Sequence, residues 1–205
     1  MSEFSFDLDA GDLSLDFSNT SNWHASEHPE ESLHDYFDLL AWGMAADVIS
    51  QESAEQLSRM AHDQPQVAEL AYHRAIQTRE AIFRIFSNHY AGEPVSEKDL
   101  TDLNALIGEA AAHRQLVPSN HHYQWQLKPD GLDSNLILWS VAIAAAELLT
   151  SEKVVWVREC EDDRGCGYLF IDLSKNHSRR WCSMESCGNR AKARRHYSRS
   201  KVEKE

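Results

Sequence analysis

Four cysteines, Cys160, Cys166, Cys182 and Cys187, lie close together near the C-terminal end, and the 159 residues before them contain none. Five residues separate the first pair, fifteen separate the pairs, and four separate the second pair. Thiolates are soft donors, and two cysteine pairs beside tight turns are the usual cradle of a tetrahedral zinc ion. Turn-forming residues are present in both places: Asp162 to Gly165 before Cys166, and Ser183 to Ser186 before Cys187. Four thiolates leave no open coordination position, so one Zn2+ bound here would be structural rather than catalytic. Two disulfides or a redox dithiol pair are the competing chemistries. The acidic N-terminus MSEFSFDLDAGD lacks the basic-then-apolar order of a secretory signal, so a cytoplasmic location with reduced thiols is expected. His177 and His196 could each replace a thiolate, though the spacing does not require it.

Charge divides the chain at the same place. From Lys153 to Glu205 there are 13 Lys and Arg against 8 Asp and Glu, a net of +5, which leaves the preceding residues at −18 within the overall −13. An acidic body with a concentrated basic end points to a polyanion-binding module attached to a second unit, a solvated basic tail being the plain alternative. The longest apolar stretch, Leu136 to Leu149, is too short to span a bilayer and is interrupted by Ser140 and Glu147.

The elements that must hold these residues read as mainly helical. Leu13, Leu15 and Phe17 alternate with Ser14, Asp16 and Ser18, which predicts a half-buried strand over Leu13 to Thr20. Ser32 would cap a helix carrying Leu33, Tyr36, Phe37, Leu40, Ala41 and Met44, and Ser50 or Ser53 a shorter one carrying Ala54, Leu57 and Met60. Pro65 suits the first turn of the longest helix, which should stop near Gly92 and bury Val67, Leu70, Ala71, Ala75, Thr78, Ile82, Ile85 and Phe86. Ser96 and Asp99 resemble a capping box for a helix with Leu100, Leu103, Leu106 and Ile107 inward. His122 to Leu127 reads as a strand able to pair with the first, Lys128-Pro129-Asp130-Gly131 as a turn, and Ser134 to Thr150 as a central core helix. Val154 to Arg158 and Tyr168 to Asp172 form a hairpin presenting the first cysteine pair. The expected class is α+β, mainly α: a helical domain over residues 1–150 with a small sheet, then a four-cysteine zinc finger over 151–205 made of a hairpin and a basic helix.

At this point the segment resembles a known family. Cys160, Cys166, Gly167, Phe170, Asp172, Asn176, Trp181, Cys182 and the tetrapeptide Cys187-Gly188-Asn189-Arg190 are similar to the CGNR zinc finger. Its usual companion, the ABATE domain, opens with a leucine-rich segment ending in Asn-Thr, as Leu13 to Thr20 does here, and Arg79 to Phe83 and Glu147 to Thr150 are also similar. The first cysteine pair departs from the family pattern, with five intervening residues in place of four. The resemblance implies a transcription regulator, with a DNA-binding finger and an N-terminal sensing domain responsive to a ligand or to stress.

The residues can be read for DNA contact independently. Asn189 is a suitable N-cap for a helix from Arg190 to Lys201, on which Arg190, Arg194 and Tyr197 share one face and Lys192, Arg195 and Arg199 an adjoining one. Lys175, Arg179 and Arg180, between the cysteine pairs, suit phosphates. Arg190 could equally bond a cysteine sulfur in support of the metal, and Trp181 could be core rather than a stacking platform. In the first domain Asn19, Thr20, Trp23, His24, Arg79 and Trp125 are candidate ligand-binding residues, polar groups beside aromatics. Asn19 and Thr20 could instead close a turn, and Arg79 could pair with Asp16. A second metal at His121 and His122 with His24 or His28 lacks regular spacing. With no nucleophile motif, phosphate loop or paired carboxylates, the chain is expected not to be an enzyme. DNA is the expected partner, a small-molecule effector and a homodimer are further expectations, and RNA binding or an enzyme in the helical domain are the alternatives.

Overall fold

The computed structural model describes residues 6–128 and 132–194. Its spine is α4 (Pro65–Ala91), which begins with proline at its first position and ends where Gly92 turns left-handed at φ 73°. Around it pack α1 (Leu13–Ser18), α2 (Tyr36–Ala45), α3 (Gln51–Asp63), α5 (Glu97–Ala112) and α6 (Leu136–Leu149). Side-chain caps start most of these helices. Asp35 accepts from Phe37 and Asp38, Ser50 from Ser53, and Ser96 from Asp99. The α2 cap is therefore Asp35, three residues beyond the expected Ser32, because a carboxylate there reaches two backbone donors at once. Helix α6 is the expected core helix, burying Ile137, Leu138, Trp139, Val141, Ala142, Ala145 and Leu148.

The first segment differs from its alternating pattern: Leu13–Ser18 is helical and every residue from Ser14 to Ser18 is buried. The polar positions do not need solvent, because local partners satisfy them. Ser14 bonds the capping Asp12, Ser18 Oγ donates to the Ser14 carbonyl, and Asp16 Oδ1 accepts from the Ala10 amide. With no strand there, β4 (His122–Leu127) pairs instead with β3 (Arg114–Ser119) as a local hairpin. The expected turn at Pro129 to Gly131 lies outside the described residues. On α4 the inward stripe lies one position away at its start. Ala68 and Ala71 are buried while Val67 and Leu70 are exposed, and Arg79 joins the buried face.

Two short strands, β1 (Ser21–Asn22) and β2 (Glu30–Glu31), close the loop after α1. A 3₁₀ turn, Glu152–Trp156, leads from α6 into the C-terminal hairpin of β5 (Val157–Glu159) and β6 (Leu169–Ile171). Val157, Leu169 and Ile171 belong to the same apolar core as Leu15, Phe17, Ile82 and Phe86. The helical body and the cysteine-bearing hairpin therefore share one core. No helix among the described residues is long and apolar enough to cross a membrane.

Candidate metal centre and nucleic-acid interface

Strand pairing sets the first cysteine pair. Cys160 leaves β5 with its amide bonded to the Tyr168 carbonyl at 2.9 Å, and Cys166 lies just before β6. The second pair sits on a helix start: Ser183 caps a π-helical turn, Met184–Gly188, by accepting from Ser186, and the chain continues as α-helix to residue 194. The N-cap is thus Ser183. Asn189 lies inside the helix and bonds the Glu185 carbonyl. The turn is wide enough to aim Cys187 back at Cys182, with their sulfurs 3.5 Å apart; Cys166 and Cys182 are separated by 3.7 Å. All four sulfurs lie within 4.8 Å of one another. Zinc–sulfur bonds of about 2.3 Å at tetrahedral angles place sulfurs about 3.8 Å apart, so the donor set fits zinc. These cysteines are the one metal-competent cluster among the described residues.

Without a cation the cluster resists full ionisation. Hydrogen bonds from Cys166 and Cys182 favour the Cys160 thiolate and lower its pKa, and serving that thiolate raises the pKa of Cys166 and Cys182. A divalent ion removes this conflict, which is why metal binding and folding are one event in such sites.

A second layer orients the metal site. Arg190 donates to Cys187 Sγ at 2.8 Å, the supporting contact raised as an alternative to DNA contact. Asp162, with a fully buried side chain, accepts from Arg164, Arg190 and Arg194. Burial alone would raise its pKa, but the three guanidinium groups outweigh it and hold the carboxyl well below the usual range. Asp163 adds a further partner for Arg194. Arg179 caps the Trp181 and Cys182 carbonyls and lies 4.4 Å over the Phe170 ring. Arg180 pairs with Glu161 and remains more than half exposed. Lys175 and Lys192 are exposed, while Arg195, Arg199 and His196 lie outside the described residues. His177 is not part of the metal-competent cluster. Its Nδ1 is 2.6 Å from the Asp172 carbonyl and its ring stacks on Trp156.

The cysteine loop is pressed onto the N-terminal body. Gly165 and Gly167, at φ 84° and 67°, flank Cys166, and a Cβ on either would come within 2.6–2.7 Å of backbone at Ala25 or Ser26. The His24 amide donates to the Cys166 carbonyl at 3.1 Å. Trp23 lies under two guanidinium groups, Arg164 at 4.7 Å and Arg190 at 5.2 Å. Asn19 acts as a surrogate strand for β6, its side-chain amide bonding both the N–H and the carbonyl of Leu169 at 2.9 Å.

Residues 11–152 match the ABATE family, described as "putative stress-induced transcription regulator", and residues 157–200 match the CGNR zinc finger. This chain belongs to the ABATE family. It carries a CGNR zinc finger with one structural zinc site, and the pairing of these domains indicates a regulatory or nucleic-acid-binding role. No curated protein matches it significantly.

Of the candidate ligand residues in the ABATE domain, the structure joins Thr20 to Arg79 directly and His24 to Arg79 through Glu80, while Asn19 and Trp23 contact the C-terminal segment and Trp125 lies on β4. Arg79, 3% exposed, bonds Glu31 at 2.6 and 2.7 Å, Glu80 at 2.9 and 3.1 Å and Thr20 at 3.3 Å. Its acidic partners are Glu31 and Glu80 rather than Asp16. Glu80 also meets His24 Nε2 at 2.9 Å. Burial tends to raise the Glu80 pKa, but His24 and Arg79 prevail and hold it at about 2. The sequence pattern does not single out Glu31 or Glu80: Glu80 adjoins Arg79 in an acidic chain, and Glu31 lies 48 positions away with no local signal. Trp125 stands on β4 with Arg114 over its ring. The cavity touching Asn19 and Thr20 measures about 50 Å³, room for water only, whereas an open groove of about 840 Å³ runs between α2 and α3 over Leu40, Met44, Ile49 and Ala54.

Proposed function

We propose that the protein is a DNA-binding transcription regulator whose zinc finger meets the duplex and whose ABATE domain senses an effector, without catalytic chemistry of its own. The observation that carries this reading is the four-sulfur centre that holds together a helix carrying Arg190, Lys192 and Arg194 after its first turns and a loop carrying Lys175, Arg179 and Arg180, on an otherwise acidic chain. Lys175, Arg180 and Lys192, being exposed, are the described cations best suited to phosphates, joined by Arg195 and Arg199 from the sequence. Arg190 and Arg194, tied to Asp162, act first to brace the metal loop against the helix. The α2–α3 groove, in the size range of small-molecule sites, is the place for an effector.

Fluorescence anisotropy of full-length protein with a labelled random duplex across a salt series tests this. Binding should weaken steeply with salt, and changing Lys175, Arg180 and Lys192 to alanine should lower the salt slope by about 2–3, one phosphate contact being worth about 0.9. Salt-independent or absent binding to every duplex counts against it. Equal competition by RNA duplex or single strands would favour an RNA-binding module.

A further inference from the structure

The β3–β4 hairpin carries an apolar face that is left largely uncovered among the described residues. Register places Arg114 opposite Leu127, Leu116 opposite Trp125 and Pro118 opposite Tyr123, and the two-residue period of strands puts all six on one face. The opposite face is polar at most positions, with Gln115, Ser119, His122, Gln124 and Gln126. At the hairpin base Leu127 packs against the core, but farther out the face is bare: Leu116 is 57%, Trp125 55% and Tyr123 72% exposed. An isolated two-stranded ribbon is barely stable in water, and a contiguous aromatic face of this kind marks a contact surface.

Charge identifies the occupant. From 110 to 129 the sequence contains no aspartate or glutamate, although the chain as a whole carries 33 and a net −13. Two copies of so acidic a protein repel except where acids are missing, and this ribbon supplies such a place. Its composition of Tyr, Trp, Leu and Arg without Glu or Asp is that of a protein–protein interface core. A nucleic acid would need phosphate-binding cations along the face, yet Arg114 is already held by Glu147 and stacked on Trp125, and Lys128 lies past the hairpin base, its amide bonded to the His113 carbonyl.

We infer that this face is the dimer contact of the protein: the β3–β4 hairpin of one copy packs its Leu116–Tyr123–Trp125 face against the same face of a second copy about a two-fold axis. Such an isologous contact needs no other partner and closes on itself. It stands independently of DNA binding.

Light scattering coupled to size exclusion, run on the zinc-loaded full chain from micromolar to sub-millimolar concentration, tests it. The wild type should reach twice the 23.4 kDa of one chain. Leu116→Glu with Trp125→Glu should remain at the single-chain mass with unchanged zinc content and circular dichroism. Gln115→Glu with Gln124→Glu, the same added charge on the opposite face, should stay dimeric. The milder Tyr123→Glu, at the most exposed ring, should raise the dissociation constant at least tenfold if the double variant misfolds. A wild type that stays at the single-chain mass, or a face variant that dimerises like wild type, overturns the inference. So does a control that dissociates equally, or loss of duplex binding by the face variant with dimerisation intact.

Discussion

Asn19 is where the helical body and the metal hairpin are stitched together, and its removal gives the sharpest structural prediction. Its side chain, 8% exposed, fills both hydrogen-bonding valences of Leu169, which is fully buried. Asn19→Ala leaves a buried N–H and a buried carbonyl unpaired, each at a cost of about 1–3 kcal/mol. The expected loss is about 2–5 kcal/mol, a large part of the roughly 5–15 kcal/mol available to a folded domain. In a chain of this size that lowers Tm by about 5–15 °C. Asn19→Asp is the more discriminating variant because its shape is unchanged. It keeps an acceptor for the Leu169 N–H but turns a carboxylate oxygen toward the Leu169 carbonyl, so the loss should be comparable despite intact packing. Urea and thermal unfolding of the zinc-loaded protein measure both. If both variants unfold within about 0.5 kcal/mol of wild type, the bonds to Leu169 do not join the two parts and the reasoning fails.

Asp16 provides a pH test. Burial, with Asp9 and Asp12 nearby, raises its pKa from 3.8 to about 6, despite the Ala10 amide that favours the charged form. A raised folded pKa favours the native state below about 3.8 and withdraws that support as pH rises through about 6. In Asp16→Asn the amide oxygen keeps the bond to Ala10 and the side chain no longer titrates. The variant should therefore gain on wild type by up to about 3 kcal/mol between pH 4 and pH 7 in chemical unfolding; a constant difference over that range refutes it. Arg79 sits between Glu31 and Glu80, and Arg79→Ala strands both carboxylates. It should destabilise by about 3–5 kcal/mol, and Arg79→Lys, which cannot reproduce the two-pronged contact to Glu31, should recover only part. A loss under about 1 kcal/mol for Arg79→Ala would mean the pair is solvated in solution.

The metal centre was legible because four cysteines at two-pair spacing, each pair beside turn-forming residues, match the donor set of a tetrahedral zinc site. Helices α3 to α6 were legible through period, caps and the Pro65 and Gly92 boundaries. Helix α1 was not, since alternation marks a strand only when polar residues seek solvent, and Ser14, Asp16 and Ser18 find partners inside. The cationic helix was visible, but not that Asp162 gathers Arg164, Arg190 and Arg194. That carboxylate sits 28 and 32 residues from the latter two, and only the zinc loop brings it to them. Asn19 was singled out as a ligand residue for its type and strand-end position; its bond to a residue 150 positions away has no local signature.

A single zinc on four thiolates organises the finger. Native mass spectrometry of the full chain, paired with circular dichroism during chelator titration, addresses it directly. One zinc per chain is predicted, lost together with the fold of the C-terminal segment when chelator is added or when Cys187 is changed to alanine. A protein that carries no stoichiometric metal, or that keeps its structure after the metal is stripped, would contradict the account.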